Sequence, residues 1–251
     1  MLLNMEDNNS IVINLWRHGL GVRMYLIVSY LAYARDQGKN LVGLWKNNAQ
    51  CPGNFCDIFN PIEGCQILDN DWDGLASDLP KGNKSIDMIN GYYPFQHFHL
   101  YSLFQPVKSL QDKISTISAK LGDYISVHVR RTDMEHLSKK QNSFVQYSDF
   151  FDFIDSSPPS FKIYLASDNK DSQDVFLSKY GDRVYINKRL DLTYDPKNPL
   201  KRATLLDEAV IDMFVCSKAH YFKGSNESPT GTGISSFSGA IQYLYNLNQH
   251  D

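Results

Sequence analysis

One stretch, Tyr124 to Asp133, concentrates the chemistry of this chain: Tyr-Ile-Ser-Val-His-Val-Arg-Arg-Thr-Asp. Ile125, Val127 and Val129 alternate with Ser126, His128 and Arg130, the period of a strand with one apolar face. His128 and Arg130 therefore share the other face, where the strand gives out. Arg131, on an extended chain, points the opposite way and needs a bend to join them. Arginine offers a planar fork of donors that pairs bidentately with phosphate. The stretch thus suits phosphate or pyrophosphate binding. The competing reading is two surface arginines capped by Asp133.

Further polar clusters fall where other strands end. Gly19-Leu20-Gly21-Val22-Arg23 can turn a strand into a helix whose first amides hold an anion. It lacks the third glycine of a dinucleotide fingerprint and is no Walker loop, and a plain tight turn explains it as well. Asp168 follows Leu165-Ala166-Ser167, placed to accept from a ribose or base, or simply to form a turn. Asp212 lies off the apolar stripe of a helix, so it is either solvated or aimed into a cleft. Ser235 and Ser236 open the last helix, as caps or as phosphate ligands. Asp69-Asn70-Asp71-Trp72-Asp73-Gly74 copies half a calcium loop, but Pro80 stands where the bidentate glutamate belongs. An acidic surface loop, or a metal held by Asp-x-Asp, remains open there. His97 and His99 fit an aromatic-rich segment as well as a metal site.

The elements that must position these residues alternate between strand and helix. Strands are expected at Ile11–Trp16, Leu41–Trp45, Cys65–Leu68, Ser85–Ile89, Tyr124–Arg130, Phe161–Ala166, Arg183–Ile186 and Ala219–Phe222. Helices are expected at Leu20–Gln37, Pro106–Leu121, Tyr147–Asp155, Asp171–Tyr180, Arg202–Ser217 and Ser236–Tyr245. Leu26, Ile27, Tyr30, Leu31 and Ala34 mark one side of the first helix, and Gly38 stops it. Such alternation argues an α/β fold with mostly parallel sheets, whose sites lie beyond the strands' C-terminal ends.

Composition narrows the function. The 251 residues are 42% hydrophobic and 21% charged, an ordinary globular mixture, so one large domain or two small ones are expected. Net charge is −3, which argues against nucleic acid as a partner and makes Arg130 and Arg131 a local device. No apolar run approaches the ~18 residues of a membrane span. The start lacks a basic region followed by an apolar run, so a cytoplasmic protein is expected, unless the chain is an excised domain. Cys51, Cys56, Cys65 and Cys216 match no zinc spacing, and Gly-x-Ser-x-Gly is absent.

Taken in chain order, these segments resemble the GDP-fucose-dependent fucosyltransferases of the α-1,6 and protein O-fucosyl superfamily, which includes the rhizobial nodulation enzyme. The resemblance is carried by His128-Val129-Arg130-Arg131-Thr132-Asp133, by Tyr164-Leu165-Ala166-Ser167-Asp168-Asn169, and by Leu206 to Phe214 followed by Ser235-Ser236. Gly19 to Trp45 resembles the family's N-terminal glycine loop, helix and strand. The resemblance implies a GT-B-like pair of Rossmann-type domains facing a cleft, divided here as 1–107 on the acceptor side and 108–251 on the GDP-sugar side. It implies inverting, metal-independent transfer of fucose from GDP-fucose, a donor substrate rather than a cofactor, to a glycan or other hydroxyl acceptor. By position, Arg130 and Arg131 would grip the pyrophosphate and His128 would shape the donor site. Asp168 and Asp212 would contact the guanosine, and Ser235 and Ser236 the phosphate oxygens. The loop residues Gly19, Gly21 and Arg23 join the donor set.

Two positions depart from that pattern. Met134 stands where the α-1,6 enzymes carry lysine, and Ser138 where their proposed base carboxylate aligns. Glu135 is the nearby substitute for the base. Two rival functions stay open: a metal-dependent glycosyltransferase using Asp69, Asp71 or Asp73 with another sugar nucleotide, and a non-catalytic nucleotide- or glycan-binding module.

Overall fold

The computed structural model describes residues 9–15, 18–69, 89, 91–132, 145–191, 204–225 and 235–249. Strand and helix alternate as β1 (Ser10–Asn14), α1 (Leu20–Asp36), β2 (Asn40–Trp45), β3 (Cys65–Asp69), α2 (Lys108–Leu121), β4 (Tyr124–Val129), α3 (Tyr147–Asp155), β5 (Lys162–Ser167), α4 (Lys170–Tyr180), β6 (Val184–Tyr185), α5 (Leu206–Ser217), β7 (Tyr221–Lys223) and α6 (Ser236–Asn248). A 3-10 helix, Phe98–Leu103, lies between β3 and α2 and carries no periodic signal in the sequence. Of the strand expected at Ser85–Ile89, residues 85–88 lie outside the described residues.

All strand pairs in both sheets are parallel, as the alternation requires. The first sheet has the order β1-β2-β3 and the second β6-β5-β4-β7. Residues before 107 supply the first sheet and those after 108 the second. The final helix crosses back: α6 packs on α5 and also on α1. One apolar core consequently joins Ile13, Leu41 and Trp45 of the first sheet to Tyr164 of β5 and to Val210 and Met213 of α5. No helix among the described residues is long and apolar enough to cross a membrane.

Two details of the helices differ from the sequence reading. The first helix is buried nearly all round, not on one side, with Leu20, Met24, Tyr25, Leu26, Ile27, Val28 and Leu31 all inside. It is sandwiched between β2 and α6, so both flanks meet apolar surface. Gly38 does end the turn beyond it, at φ 63°, a conformation glycine adopts without strain. Helix α5 starts at Leu206 rather than Arg202. Its first turn holds Asp207 and Glu208, whose carboxylates suit a helix N-terminus, and Glu208 Oε2 accepts from the Leu205 N–H at 2.9 Å.

Strand β4 is buried on both faces. Its alternation is real, but the polar face meets helices rather than solvent. Ile125, Val127 and Val129 enter a second core with Ile163, Leu165, Phe150, Ile154 and Phe176. On the other face, the Tyr124 hydroxyl donates to the Val215 carbonyl and the Ser126 hydroxyl to the Cys216 carbonyl, each at 2.8 Å. These bonds fasten the C-terminal turn of α5 to the centre of the sheet.

Candidate functional site

A cleft of about 260 Å³ opens at the C-terminal ends of β4 and β5, bounded by the loops that follow β1 and β2. It brings together Gly19, Gly21, His128, Arg130, Asp168, Asp212, Ser235 and Ser236, which lie far apart in the chain. Arg23 and Arg131 do not line it, and Glu135 lies outside the described residues, as do Met134 and Ser138.

Arg130 stands just past the last residue of β4, and its Nε meets Asp168 Oδ2 at 3.1 Å. Both side chains are largely enclosed, at 15% and 14% exposed. The Asp168 carboxylate also accepts from the Arg131 N–H at 3.0 Å and the Thr132 hydroxyl at 2.5 Å. It therefore organises the turn after β4 and fixes the guanidinium of Arg130 at the cleft wall. From the other side, the Arg130 N–H donates to Ser225 Oγ at 2.8 Å, and the same hydroxyl donates to the His128 carbonyl at 2.9 Å.

Arg131 keeps to the face of Val127 and Val129. Its Nη2 donates to the Val145 carbonyl at 2.7 Å, and its guanidinium lies 4.6 Å above the Tyr147 ring. The chain does not bend enough to bring it round beside Arg130. Instead it is 5% exposed and pins the start of α3 to the end of β4.

His128 is buried, its ring 4.8 Å from that of Phe237 and its Nδ1 2.6 Å from Ser238 Oγ. The Ser238 hydroxyl also accepts from the Ser225 N–H at 3.0 Å. Burial pulls the imidazole pKa down to about 3; Arg130 reinforces this and Asp168 opposes it. His128 is thus neutral at neutral pH and shapes the wall without adding charge.

The opposite wall is main chain. Gly19 is the extended N-cap of α1, and residues 18–22 face the cleft. Ser235 caps α6, its hydroxyl accepting from the Ser238 N–H at 3.3 Å, and Ser236 and Phe237 face the same space. Neither first turn carries an acid, so the positive ends of both helices are left uncompensated at the cleft. The two turns touch at Gly21, where a Cβ would sit 2.6 Å from the Phe237 nitrogen and 2.7 Å from the Ser236 carbonyl oxygen. Close approach of backbones, not a left-handed conformation, requires glycine here.

Arg23 belongs beneath this wall. Wholly buried, it donates from Nε to the His18 carbonyl at 2.7 Å and from Nη2 to the Lys46 carbonyl at 2.8 Å, and it stacks 4.3 Å from the Trp45 ring. It ties together the loops following β1 and β2. Burial lowers its pKa, against the raising influence of Cys51 and Asp69.

Asp212 faces the cleft from α5. Burial pushes its carboxyl up to about 7, helped by Glu208 and opposed by hydrogen bonds from Tyr164 and Asn187. Asp69, one of the possible metal ligands, accepts from the Phe55 and Cys56 N–H groups at 2.7 and 3.2 Å and so anchors a loop. Asp71 and Asp73 lie outside the described residues. His97 stacks on Tyr92 at 5.6 Å and meets His99 edge-on at 6.2 Å, within an aromatic segment.

The cleft also contains His18, in the polar cluster that follows β1, and residues with no motif of their own: Gln50, Pro52, Leu205 and Phe237. Phe237 had one available signal, adjacency to Ser236 at a helix start. Gln50 and Pro52 had none, because their loop lacks periodicity. It reaches the cleft because Trp45 Nε1 donates to the Gly53 carbonyl at 3.0 Å and Gly53 abuts Leu206.

No protein-family model matches the sequence, and no curated protein matches it. Solved structures do match. NodZ α-1,6-fucosyltransferase co-crystallised with GDP gives a TM-score of 0.58 at 13% identity, over 93% of this chain and 91% of that one. Fucosyltransferase NodZ from Bradyrhizobium gives 0.58 at 14%, over 93% and 92%. POFUT1 in complex with GDP-fucose gives 0.57 at 12%, over 94% of each chain. Identities this low establish architecture: the chain has the α/β fold of these fucosyltransferases.

Proposed function

We propose that this protein is an inverting, metal-independent glycosyltransferase that moves fucose from GDP-fucose to a hydroxyl of a glycan or other acceptor. The carrying observation is Arg130, fixed by Asp168 at one wall of a cleft whose opposite wall ends in two uncompensated helix N-termini. The shared fold supports the reading, since matched structures hold GDP or GDP-fucose.

In the transfer, the bond from the anomeric carbon to the pyrophosphate oxygen breaks and GDP leaves with the electron pair. The acceptor oxygen forms the new bond from the opposite face, and a base takes its proton. Negative charge grows on the departing diphosphate, so fixed positive groups beside it favour the transition state over the ground state. Arg130 and the first turns of α1 and α6 would supply that charge in place of a metal. Arg131 would act through position, holding the turn that presents Arg130. Asp212 would accept from the guanine edge, and Ser235 and Ser236 would meet phosphate oxygens. Glu135 is proposed as base. Residues 1–107 would present the acceptor and 108–251 the donor.

The test is calorimetric binding of GDP, UDP and their sugars, followed by transfer or hydrolysis of GDP-fucose with and without a chelator. GDP selectivity and turnover unaffected by chelator are expected. Turnover that chelator abolishes would support the metal-dependent rival; binding without turnover would support a binding module.

A further inference from the structure

Tyr164 sits within β5, fully buried, on the face that meets α5. Its hydroxyl donates to Asp212 Oδ1 at 2.6 Å. The phenol is held in place by the Tyr185 ring from β6, stacked at 5.9 Å and 19°. The other groups around Asp212 are Asn187, from the segment after β6, which hydrogen-bonds to it, and Glu208 and Cys216 on its own helix. Glu208 is itself paired with Lys188 at 3.7 Å. No cation among the described residues forms an ion pair with Asp212, so a neutral hydroxyl and an amide orient this carboxylate.

We infer that Tyr164 is a positioning residue of the donor site: its buried hydroxyl favours the carboxylate form of Asp212 and aims it at the cleft, where it receives N–H groups of the nucleobase. This rests on the donor reading above, because the cleft must hold a nucleotide. A protonated carboxyl offers one acceptor fewer and adds a donor that meets the base's own N–H groups. Capture of the nucleotide therefore requires the ionised form. With Asp212 pushed up to about 7, its ionisation falls within the ordinary working range. The Tyr164 hydrogen bond acts downward on that pKa, so removing it raises the carboxyl further. Affinity should rise as pH rises through about 7 and level off above it.

GDP binding is measured by calorimetry from acid to alkaline pH on wild type, Tyr164→Phe, Asp212→Asn and the double variant. The Asp212 carboxyl is followed in the free protein by carbon NMR. The phosphate of GDP ionises near pH 6 as well, so each profile is read against that of Asp212→Asn, which retains the phosphate contribution. Tyr164→Phe should weaken GDP about fivefold at neutral pH, approach about tenfold at acid pH, move the midpoint up by roughly one pH unit, and nearly recover at alkaline pH. A purely structural loss would lower affinity equally at all pH values. In the Asp212→Asn background, Tyr164→Phe should add less than about twofold. An unmoved Asp212 titration and GDP midpoint in Tyr164→Phe overturns the inference. An Asp212→Asn profile that coincides with wild type also overturns it, even if Tyr164→Phe does not fold. Wild type that binds no GDP at any pH removes the donor reading itself, and with it this inference.

Discussion

The two walls of the cleft are built from different materials. The wall from α1 and α6 is main chain: helix ends, Gly19, and a glycine at position 21 that lets two backbones touch. Its arginine, Arg23, is buried beneath it and bonded to carbonyls. The wall from β4, β5 and α5 is side chain: Arg130, Asp168, His128 and Asp212. A main-chain wall can be disturbed only by disturbing the fold. A side-chain wall can lose function while the fold stands. Within the second wall the same contrast recurs between neighbours, since Arg130 faces the cleft and Arg131 the core.

The largest expected effect is that of Arg130→Ala. Transfer should fall at least about a hundredfold, the usual cost of losing one preorganised donor to a developing charge. The melting temperature should hold, because Asp168 keeps its bonds to the Arg131 amide and the Thr132 hydroxyl. Arg130→Lys should fall between, retaining charge without the fork. Full activity in Arg130→Ala would end the assignment of charge stabilisation to this residue.

Next is Gly21→Ala, which attacks the other wall. A methyl group placed 2.6 Å from a backbone nitrogen forces α1 and α6 apart. About 2 kcal/mol of stability should be lost, or roughly 4–8 °C in Tm by calorimetry. A variant as stable as wild type would show that the helix ends separate freely, and the contrast between walls would collapse.

Arg131→Met should cost roughly 1–2 kcal/mol by leaving the Val145 carbonyl without its donor. Its GDP affinity should stay within about twofold of wild type. A large loss of affinity at unchanged stability would place Arg131 with Arg130 after all.

The smallest net effect concerns acid. His128 has a pKa lowered to about 3, so its contribution to stability is present above about 6.5, the ordinary histidine value, and is lost as pH falls toward 3. Asp212 has a pKa raised to about 7, so its contribution is present below the ordinary carboxylate value, 3.8, and is lost as pH rises through 7. Between pH 4 and 6.5 the two slopes oppose. Melting of wild type should change little across that window. His128→Gln should grow more stable on acidification, and Asp212→Asn less stable. Parallel curves for all three proteins would refute the opposition.

Much of this was legible in the chain. Every strand expected within the described residues is present, because parallel sheets bury alternating or continuous apolar runs that stand out from polar surroundings. The cleft residues were legible where they follow such strands: Arg130 after β4 and Asp168 after β5. The pairing of Tyr164 with Asp212 was not, since a tyrosine inside an apolar strand reads as packing until its partner on the helix packed against that strand is known. Nor was the all-round burial of α1, which depends on α6 returning from the far end of the sequence.

The sequence by itself determined the elements, their order and a short set of residues able to hold an anion, because periodicity and residue chemistry are local properties. Only the tertiary structure decided which of two adjacent arginines meets the cleft. Strand parity placed Arg130 and Arg131 on opposite faces. The layers packed against each face, aromatic core on one side and cleft on the other, made Arg131 a buried support and Arg130 the tool that faces the cleft.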